Sequence, residues 1–304
     1  MVISAPAIHK LAGYAGSMMQ VLALLPGGEE NQLQALPAMA ALAEQRSAQL
    51  HVVCPAQAAH VWTLLPAVER CIPFAFGQRW SLADWTNLLG NVREPDFQVS
   101  LNLSTDWSID LLLSLSRIPM RVAGGGFSAT EPVGQPTGWR GQALGAWLQP
   151  LEVHYDGDAY RLPLPRNALA EARAALPPGN GPALLLAPGV TAGWSPEDWQ
   201  GFVAAVGQAV PSVRLLWLAP EEEAPAGIRR CPAATVMAEA ATVASVDVVL
   251  TDEPRLAQLA VLTGTALVAA GMEDPGRLPR RDAVKPLPAL NRVRPQEVLQ
   301  ALGT

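Results

Sequence analysis

The sequence predicts an α/β protein with two Rossmann-like domains whose parallel sheets face a cleft. Short, continuously apolar segments alternate with segments whose apolar residues recur at helical spacing. Strands without polar alternation are typical of parallel sheets covered by helices on both faces. Two irregular stretches, 127–150 and 156–165, interrupt the alternation before it resumes. We therefore expect a tail at 1–19, a first domain at 20–160 and a second at 161–304.

In the first domain the alternation predicts four strands and four helices. The strands are expected at 21–25, 48–55, 96–104 and 120–126, where apolar runs are short and end at proline, glycine or polar residues. The helices are expected where apolar residues recur every three or four positions, at 31–45, 56–65, 81–92 and 106–118. Ser81 stands at the start of the third helix, where a hydroxyl can cap free amides.

The second domain repeats this order. Apolar runs predict strands at 182–189, 213–220, 246–250 and 265–271, and periodic segments predict helices at 195–210, 254–264 and 294–302. Ser195 is the expected N-cap of the first of these helices, with Pro196 next and two acidic residues in the first turn. Ligands of such folds bind at the carboxyl ends of the strands.

Composition and charge exclude several classes of protein. Half of the 304 residues are apolar, 16% are charged, and the net charge is −6. This balance disfavours a nucleic-acid surface, which requires dense Lys and Arg. The segment after Lys10 resembles the apolar part of a signal peptide, but glycines and Gln20 interrupt it, and Met18 or Met19 is an alternative start. With no uninterrupted apolar run of about 18 residues, we expect no membrane span and a cytoplasmic protein.

Cysteine and histidine usage predicts neither a metal site nor a cofactor. The three cysteines form no C-x-x-C pair, which favours buried thiols in a reducing compartment. No two of the four histidines lie three or four residues apart, as a metal-binding helix would require.

Four segments, taken in order, resemble glycosyltransferase family nine, the heptosyltransferase family of the GT-B fold. They are "LPGGEENQLQALPAMAAL" (25–42), "LLLAPGVTAGWSPEDW" (184–199), "VDVVLTDEPRLAQLAVLTGTALV" (246–268) and "AGMEDP" (270–275). The resemblance extends over 20–304, although no single motif is intact. It implies an acceptor-binding first domain and a second domain that binds a nucleotide sugar, often of the ADP type, without a metal.

The first segment departs from the family at its catalytic position. Counting back from Pro37, Asn31 stands where the resemblance places the aspartate that deprotonates the acceptor hydroxyl, and Glu30 stands at its glycine. An amide is a poor proton acceptor near neutral pH. Glu29 or Glu30 is a candidate substitute base, and the alternative is an acidic helix start that is favoured by the helix dipole.

The second segment keeps only part of the implied donor site. Pro188, Gly189 and the hydroxyl residue Thr191 match the family, and Ala192 replaces the lysine that the resemblance implies at the donor phosphates. A cation for the leaving diphosphate is missing at this position. Three consecutive carboxylates, Glu221–Glu223, follow the next strand, where they either repel a phosphate or face solvent.

The third segment departs furthest. Glu253, Pro254 and Arg255 replace the Asp-Thr-Gly that the resemblance implies, and Gln258 replaces its histidine. Proline has no N–H to offer a phosphate, and Glu253 repels an anion, whereas Arg255 is a candidate cation. The alternative is an ordinary helix start capped by Thr251 or Asp252. In the last segment, Gly271 and Asp274 are retained.

Two hypotheses about function remain open. The first is a sugar transferase in which Glu29 or Glu30 is the base and Arg255 and Thr191 hold the leaving group. The second is an inactive GT-B relative that binds a protein partner or helps an assembly. Apart from Arg255, the replacements at the donor phosphates (Ala192, Glu221–Glu223, Glu253 and Pro254) all move away from cations or free amides, so they favour the second. A dehydrogenase is disfavoured because "VAGGGFSA" lacks the spacing of a dinucleotide-binding loop.

Overall fold

A computed structural model describes residues 18–77, 80–134, 137–189, 193–218, 224–231 and 233–303. The chain divides into two compact units, and the boundary falls between Tyr160 and Arg161. Each unit contains one six-stranded parallel sheet with helices packed on it. The predicted α/β class with two parallel sheets is therefore confirmed.

The first unit alternates strands and helices along the chain. Its strands are β1 (Met19–Leu24), β2 (Ala48–Cys54), β3 (Val68–Pro73), β4 (Val99–Asn102), β5 (Met120–Ala123) and β6 (Glu131–Pro132). Its α-helices are α1 (Glu29–Arg46), α2 (Leu82–Arg93), α3 (Trp107–Leu115), α4 (Arg140–Ala143) and α5 (Gly145–Leu148), with 3-10 turns at Ala56–Leu64 and Gln149–Leu151. The strand order is β3-β2-β1-β4-β5-β6.

The second unit repeats this winding. Its strands are β7 (Ala183–Ala187), β8 (Arg214–Trp217), β9 (Arg229–Arg230), β10 (Val248–Thr251), β11 (Ala266–Ala270) and β12 (Val284–Leu287). Its α-helices are α6 (Arg166–Ala175), α7 (Pro196–Ala209), α8 (Val236–Val243), α9 (Pro254–Thr263) and α10 (Pro295–Leu302), with a 3-10 turn at Leu290–Arg292. The order β9-β8-β7-β10-β11-β12 corresponds strand for strand to that of the first unit.

The central strands form because their side chains are apolar on both faces. Every residue of β7 is buried, and so are the last four residues of β1. Helices cover both faces, and in the second unit four aromatic rings (Trp194, Trp199, Phe202, Trp217) pack edge to face within one cluster. Burial of such a cluster is the main stabilising contribution to each unit.

Several elements were not predicted. The four edge strands β3, β6, β9 and β12 are among them, and so are the helices α4, α5, α6 and α8. Strand β3 exposes Glu69 and Arg70, so its sequence shows no apolar run. Helix α6 buries a single residue, Ala172. The segment at 56–65 was predicted as a helix, and Ala56–Leu64 forms a 3-10 helix.

The start of the first strand also differs from the expectation. Strand β1 begins at Met19, inside the segment assigned to the tail, and pairs with β2 from Ala48 onward. Residues 1–17 of the predicted tail lie outside the described residues. The predicted N-caps Ser81 and Ser195 are confirmed, since each hydroxyl accepts a hydrogen bond from the amide three residues later.

Candidate functional site: the strand ends of each unit

Both units have the strand order that determines where ligands bind in doubly wound folds. In the order 3-2-1-4-5-6 the winding reverses between the first and fourth strands, and the crevice beyond their carboxyl ends is the usual binding place. The reversal lies between β1 and β4 in the first unit and between β7 and β10 in the second. The candidate residues of the first, second and third segments follow β1, β7 and β10 respectively.

In the second unit, direct hydrogen bonds connect the two strand ends. The backbone N–H of Gly189 donates to Oδ1 of Asp252 over 2.6 Å, and the hydroxyl of Thr251 donates to the carbonyl of Ala187 over 2.6 Å. Pro188 and Gly189 are both buried. The amide of Gly189 therefore already has an acceptor within the chain, and that acceptor is a carboxylate.

The free backbone N–H groups at the start of α9 also donate hydrogen bonds within the chain. The side chain of Glu253 is its N-cap and accepts from the backbone N–H groups of Arg255, at 3.2 Å, and Leu256, at 2.8 Å. Pro254 occupies the first helical position and has no N–H. The amides that a phosphate would use at this helix start are thus bonded to a carboxylate that belongs to the chain. The cap is Glu253, so the predicted cap, Thr251 or Asp252, was wrong: Thr251 instead accepts the N–H of Glu253 at 2.9 Å.

Arg255 is bound to carboxylates on two sides. Its Nη1 pairs with Glu239 of α8, and its Nε lies 3.8 Å from Oε2 of Glu253. The Arg255 side chain is 19% exposed, and that of Glu239 13%. Arg255, the candidate cation for a donor phosphate, therefore already pairs with the carboxylates of Glu239 and Glu253.

Asp252 adds a buried acidic group to this corner. Burial raises the pKa of its carboxyl above the usual value, and the hydrogen bond from Gly189 opposes that shift without cancelling it. We refer to Glu239, Asp252, Glu253 and Arg255 as the acidic corner. It contains three carboxylates and one guanidinium.

The other candidate donor residues serve the fold locally. Gln258 is completely buried, and its amide donates to the carbonyl of Arg277 over 2.7 Å. Gly271 has a φ of +70°, which favours glycine, and its amide continues the sheet to Leu287. Asp274 accepts the N–H of Gly276 at 2.8 Å and so closes a turn. Thr191, Ala192 and Glu221–Glu223 lie outside the described residues.

The helix after the first strand of the first unit starts without a side-chain cap, whereas α3, which follows the fourth strand as α9 does in the second unit, is capped by Asp106. Helix α1 begins after Gly28, which has no side chain to cap it, and Glu29 and Glu30 occupy its first turn. Oε1 of Glu29 lies 3.6 Å from Nε2 of His60; Glu29 is half-buried and His60 is exposed. A Cβ at Gly27, whose φ is +99°, would collide with the side chain of Asn31, so glycine is required there.

Glu30 has a cationic neighbour that the sequence did not indicate. Arg140, the first residue of α4, is half-buried; burial lowers its pKa, and the negative charge of Glu30 acts in the opposite direction. Arg140 is 110 positions from Glu30 in the chain, within a stretch without periodicity. Glu239 was missed for a similar reason, because only the packing of α8 on α9 brings it to Arg255.

Two other site classes find no support in the described part of the chain. No cluster of three or more His, Cys, Asp or Glu there is arranged to hold a metal ion. No helix in the described ranges is both long and apolar enough to span a membrane.

Comparison with known proteins identifies the fold. No protein-family model matches the sequence, and no curated protein matches it. A glycosyl transferase family 9 structure from Veillonella parvula DSM 2008 aligns with a TM-score of 0.74 and 10% identity, over 94% of this chain and 96% of that one. The heptosyltransferase WaaC of E. coli, solved with ADP, aligns with a TM-score of 0.68 and 14% identity, over 94% and 99%.

The fold is also similar to that of a second class of enzyme. A UDP-GlcNAc 2-epimerase from Methanocaldococcus jannaschii aligns with a TM-score of 0.56 and 10% identity, over 94% of this chain and 92% of that one. The resemblance to heptosyltransferases is confirmed at the level of the GT-B fold. Because one fold supports several reactions, the chemistry has to be argued from the residues of this chain.

Proposed function

We propose that this protein is a GT-B relative that does not transfer sugar from a nucleotide donor and acts instead as a binding or assembly protein. The observation that carries the proposal is the position of Glu253. Its carboxylate accepts hydrogen bonds from the backbone N–H groups of Arg255 and Leu256, which a donor diphosphate at the start of α9 would need. A phosphate at this position would have to displace the Glu253 carboxylate, which is part of the chain and therefore always present beside these amides.

The charge of the acidic corner supports the same conclusion. Among the described residues, a diphosphate entering between β7 and β10 would meet the three carboxylates of the acidic corner and its one guanidinium, which is already paired with two of them. Like charges at such short range disfavour binding, most strongly where solvent is partly excluded. Stabilisation of a leaving diphosphate requires the opposite arrangement, with cations and free N–H groups directed at the developing charge.

The rival hypothesis is an active transferase. It assigns the base to Glu29 or Glu30 and the leaving-group contact to Arg255. Glu29 and Glu30 do lie in the first turn of α1, where a base would be expected. The pairing of Arg255 with Glu239 and Glu253 weakens this hypothesis, because Arg255 was the one described cation assigned to the donor phosphates.

Thermal unfolding with nucleotide sugars separates the two hypotheses. The panel would contain ADP-heptose, ADP-glucose and UDP-GlcNAc, since similar structures include one with ADP and a UDP-GlcNAc epimerase. A ligand at 100 times its Kd adds about 2.7 kcal/mol to stability, which is readily measured. We expect no saturable shift with any of them. A saturable shift would contradict the proposal, and E. coli WaaC with ADP is the positive control.

A further inference from the structure

The first unit carries an exposed apolar surface well away in sequence from the acidic corner. Six large apolar residues are exposed in the described part of the chain, and four of them are Trp107 (69%), Leu111 (36%), Leu115 (41%) and Phe127 (66%). The first three are spaced four residues apart on α3 and so share one helix face. We call these four residues the α3 patch. Large exposed apolar groups gathered in one place mark interaction surfaces.

The patch is held in a fixed shape. The hydroxyl of Ser128 donates to Oδ1 of Asp110 over 2.7 Å, and both side chains are buried. A Cβ at Gly126 would collide with the Asp110 carboxylate, so the loop lies directly against α3. These contacts fix the segment that carries Phe127 on the helix. A rigid apolar surface loses little conformational entropy when it binds.

The charges around the patch are arranged so that it complements itself. Between Trp107 and Ser116 the single charged residue is Asp110, which is buried, so the exposed face of α3 carries no charge. Asp106 precedes the helix and caps it, and the exposed Arg117 follows it. The guanidinium of Arg93 binds the carbonyl of Leu115 and adds a second cation at this end. One end of the patch is therefore acidic and the other basic.

We propose that the α3 patch binds a second copy of this chain, with the two α3 helices antiparallel about a twofold axis at Leu111. In this arrangement Leu111 packs on its own symmetry mate, and Trp107 packs on Leu115 of the second copy. The acidic end at Asp106 approaches the basic end at Arg117 of the second copy, and the helix dipoles also run in opposite directions. A twofold interface requires a surface that is complementary to itself, and the patch meets this requirement in charge, with Asp106 at one end and Arg93 and Arg117 at the other.

The experiment measures the mass of the full-length protein by sedimentation over a concentration series. We expect a monomer–dimer equilibrium for the natural sequence. Leu111→Glu places two carboxylates at the axis and should raise the dimer dissociation constant by about 30-fold or more. The matched control is Leu82→Glu on α2, which changes a leucine that is 79% exposed and outside the patch. We expect the control to dimerise like the natural sequence.

Two further variants test the geometry of the interface. Leu111→Cys should yield a disulfide-linked dimer on oxidation, because the axis brings the two sulfurs together, and Leu82→Cys should not. Arg117→Glu should weaken the dimer, since it places a carboxylate near Asp106 of the second copy. A protein that stays monomeric throughout the series would overturn the proposal, as would a dimer that Leu111→Glu leaves intact. Association is measured without nucleotides, so its outcome is independent of the donor-site proposal.

Discussion

The two units share one winding, but two of the helix starts beside its reversal differ: α9, after the fourth strand of the second unit, and α1, after the first strand of the first unit. In the second unit, Glu253 caps α9 and Asp252 bonds Gly189, so the strand ends between β7 and β10 are closed by carboxylates. In the first unit, α1 follows Gly28 and has no side-chain cap, and its acidic residues lie in the first turn beside His60 and Arg140. Topology selects the place where a ligand would bind, and a few local side chains decide whether that place is open.

The two helix starts should also differ in how much a single substitution costs in the free energy of unfolding. The acidic corner is a partly buried network whose members depend on one another, whereas the pair at the start of α1 joins a half-buried Glu29 to an exposed His60. Removing one member of a buried network leaves an unpaired charge, which is costly, and removing one member of a more exposed pair costs little. The comparison can therefore be tested by single substitutions in each unit.

The largest effect is expected at Arg255. Arg255→Met removes the guanidinium that pairs with Glu239 and Glu253, and both carboxylates are mostly buried. We expect a loss of about 3 kcal/mol in the free energy of unfolding. The matched variant in the first unit is His60→Ala, which we expect to cost less than about 1 kcal/mol. Denaturant unfolding measures both, and equal losses would remove the distinction between the units.

A smaller loss is expected when the cap is removed. Glu253→Ala frees the amides of Arg255 and Leu256 and should cost about 1 to 2 kcal/mol. Glu253→Gln keeps an acceptor oxygen at the same place and should cost less. Thermal unfolding of the two variants gives the comparison. If Ala and Gln cost the same, the hydrogen bonds from α9 contribute nothing.

The pH dependence of stability tests Asp252. Burial raises the folded-state pKa of this carboxyl above the unfolded value, so its contribution is most favourable when it is protonated at low pH. That contribution is lost as the pH rises through the folded-state pKa. Asp252→Asn mimics the protonated form and still accepts from Gly189. We expect the variant to melt higher than the natural protein at neutral pH, with the difference vanishing as the pH falls towards the unfolded-state pKa of Asp252. A variant that is less stable at neutral pH would contradict the assignment.

The smallest effect is expected from adding a side-chain cap to α1 in the first unit. Gly28 has a φ of −76° and no atom within 4 Å of the place where a Cβ would lie, so other residues fit there. Gly28→Ser adds a hydroxyl acceptor at the start of α1 and should raise stability by a few tenths of a kcal/mol. A fall in the melting temperature would show that glycine is required at this position for another reason.

The sequence predicted the parts of the fold that depend on local pattern. The apolar runs of β1 and β7 and the hydroxyl caps at Ser81 and Ser195 all depend on residues close together in the chain. Strand β3 was missed because it lies at the edge of its sheet, where exposed Glu69 and Arg70 remove the apolar signal. Local sequence pattern thus indicates which residues are buried, and an edge strand with few buried residues shows no clear pattern.

The site was harder to predict than the fold. The replacement of donor-site residues around α9 was visible in the sequence, but three adjacent residues, Thr251, Asp252 and Glu253, were all chemically able to cap the helix. Backbone geometry chose Glu253, whose longer side chain reaches two amides. The partner of Arg255 was not predictable, because Glu239 lies on another helix and meets it through tertiary packing alone.

The central claim is that the acidic corner excludes a nucleotide diphosphate. The most direct measurement is calorimetric titration of ADP-glucose into the natural protein and into a double variant, Glu253→Gly with Glu239→Gln. The variant frees the α9 amides and weakens the hold on Arg255. We predict no binding heat for the natural protein and saturable binding for the double variant. Saturable binding to the natural protein, at a site that competes with ADP, would contradict the account.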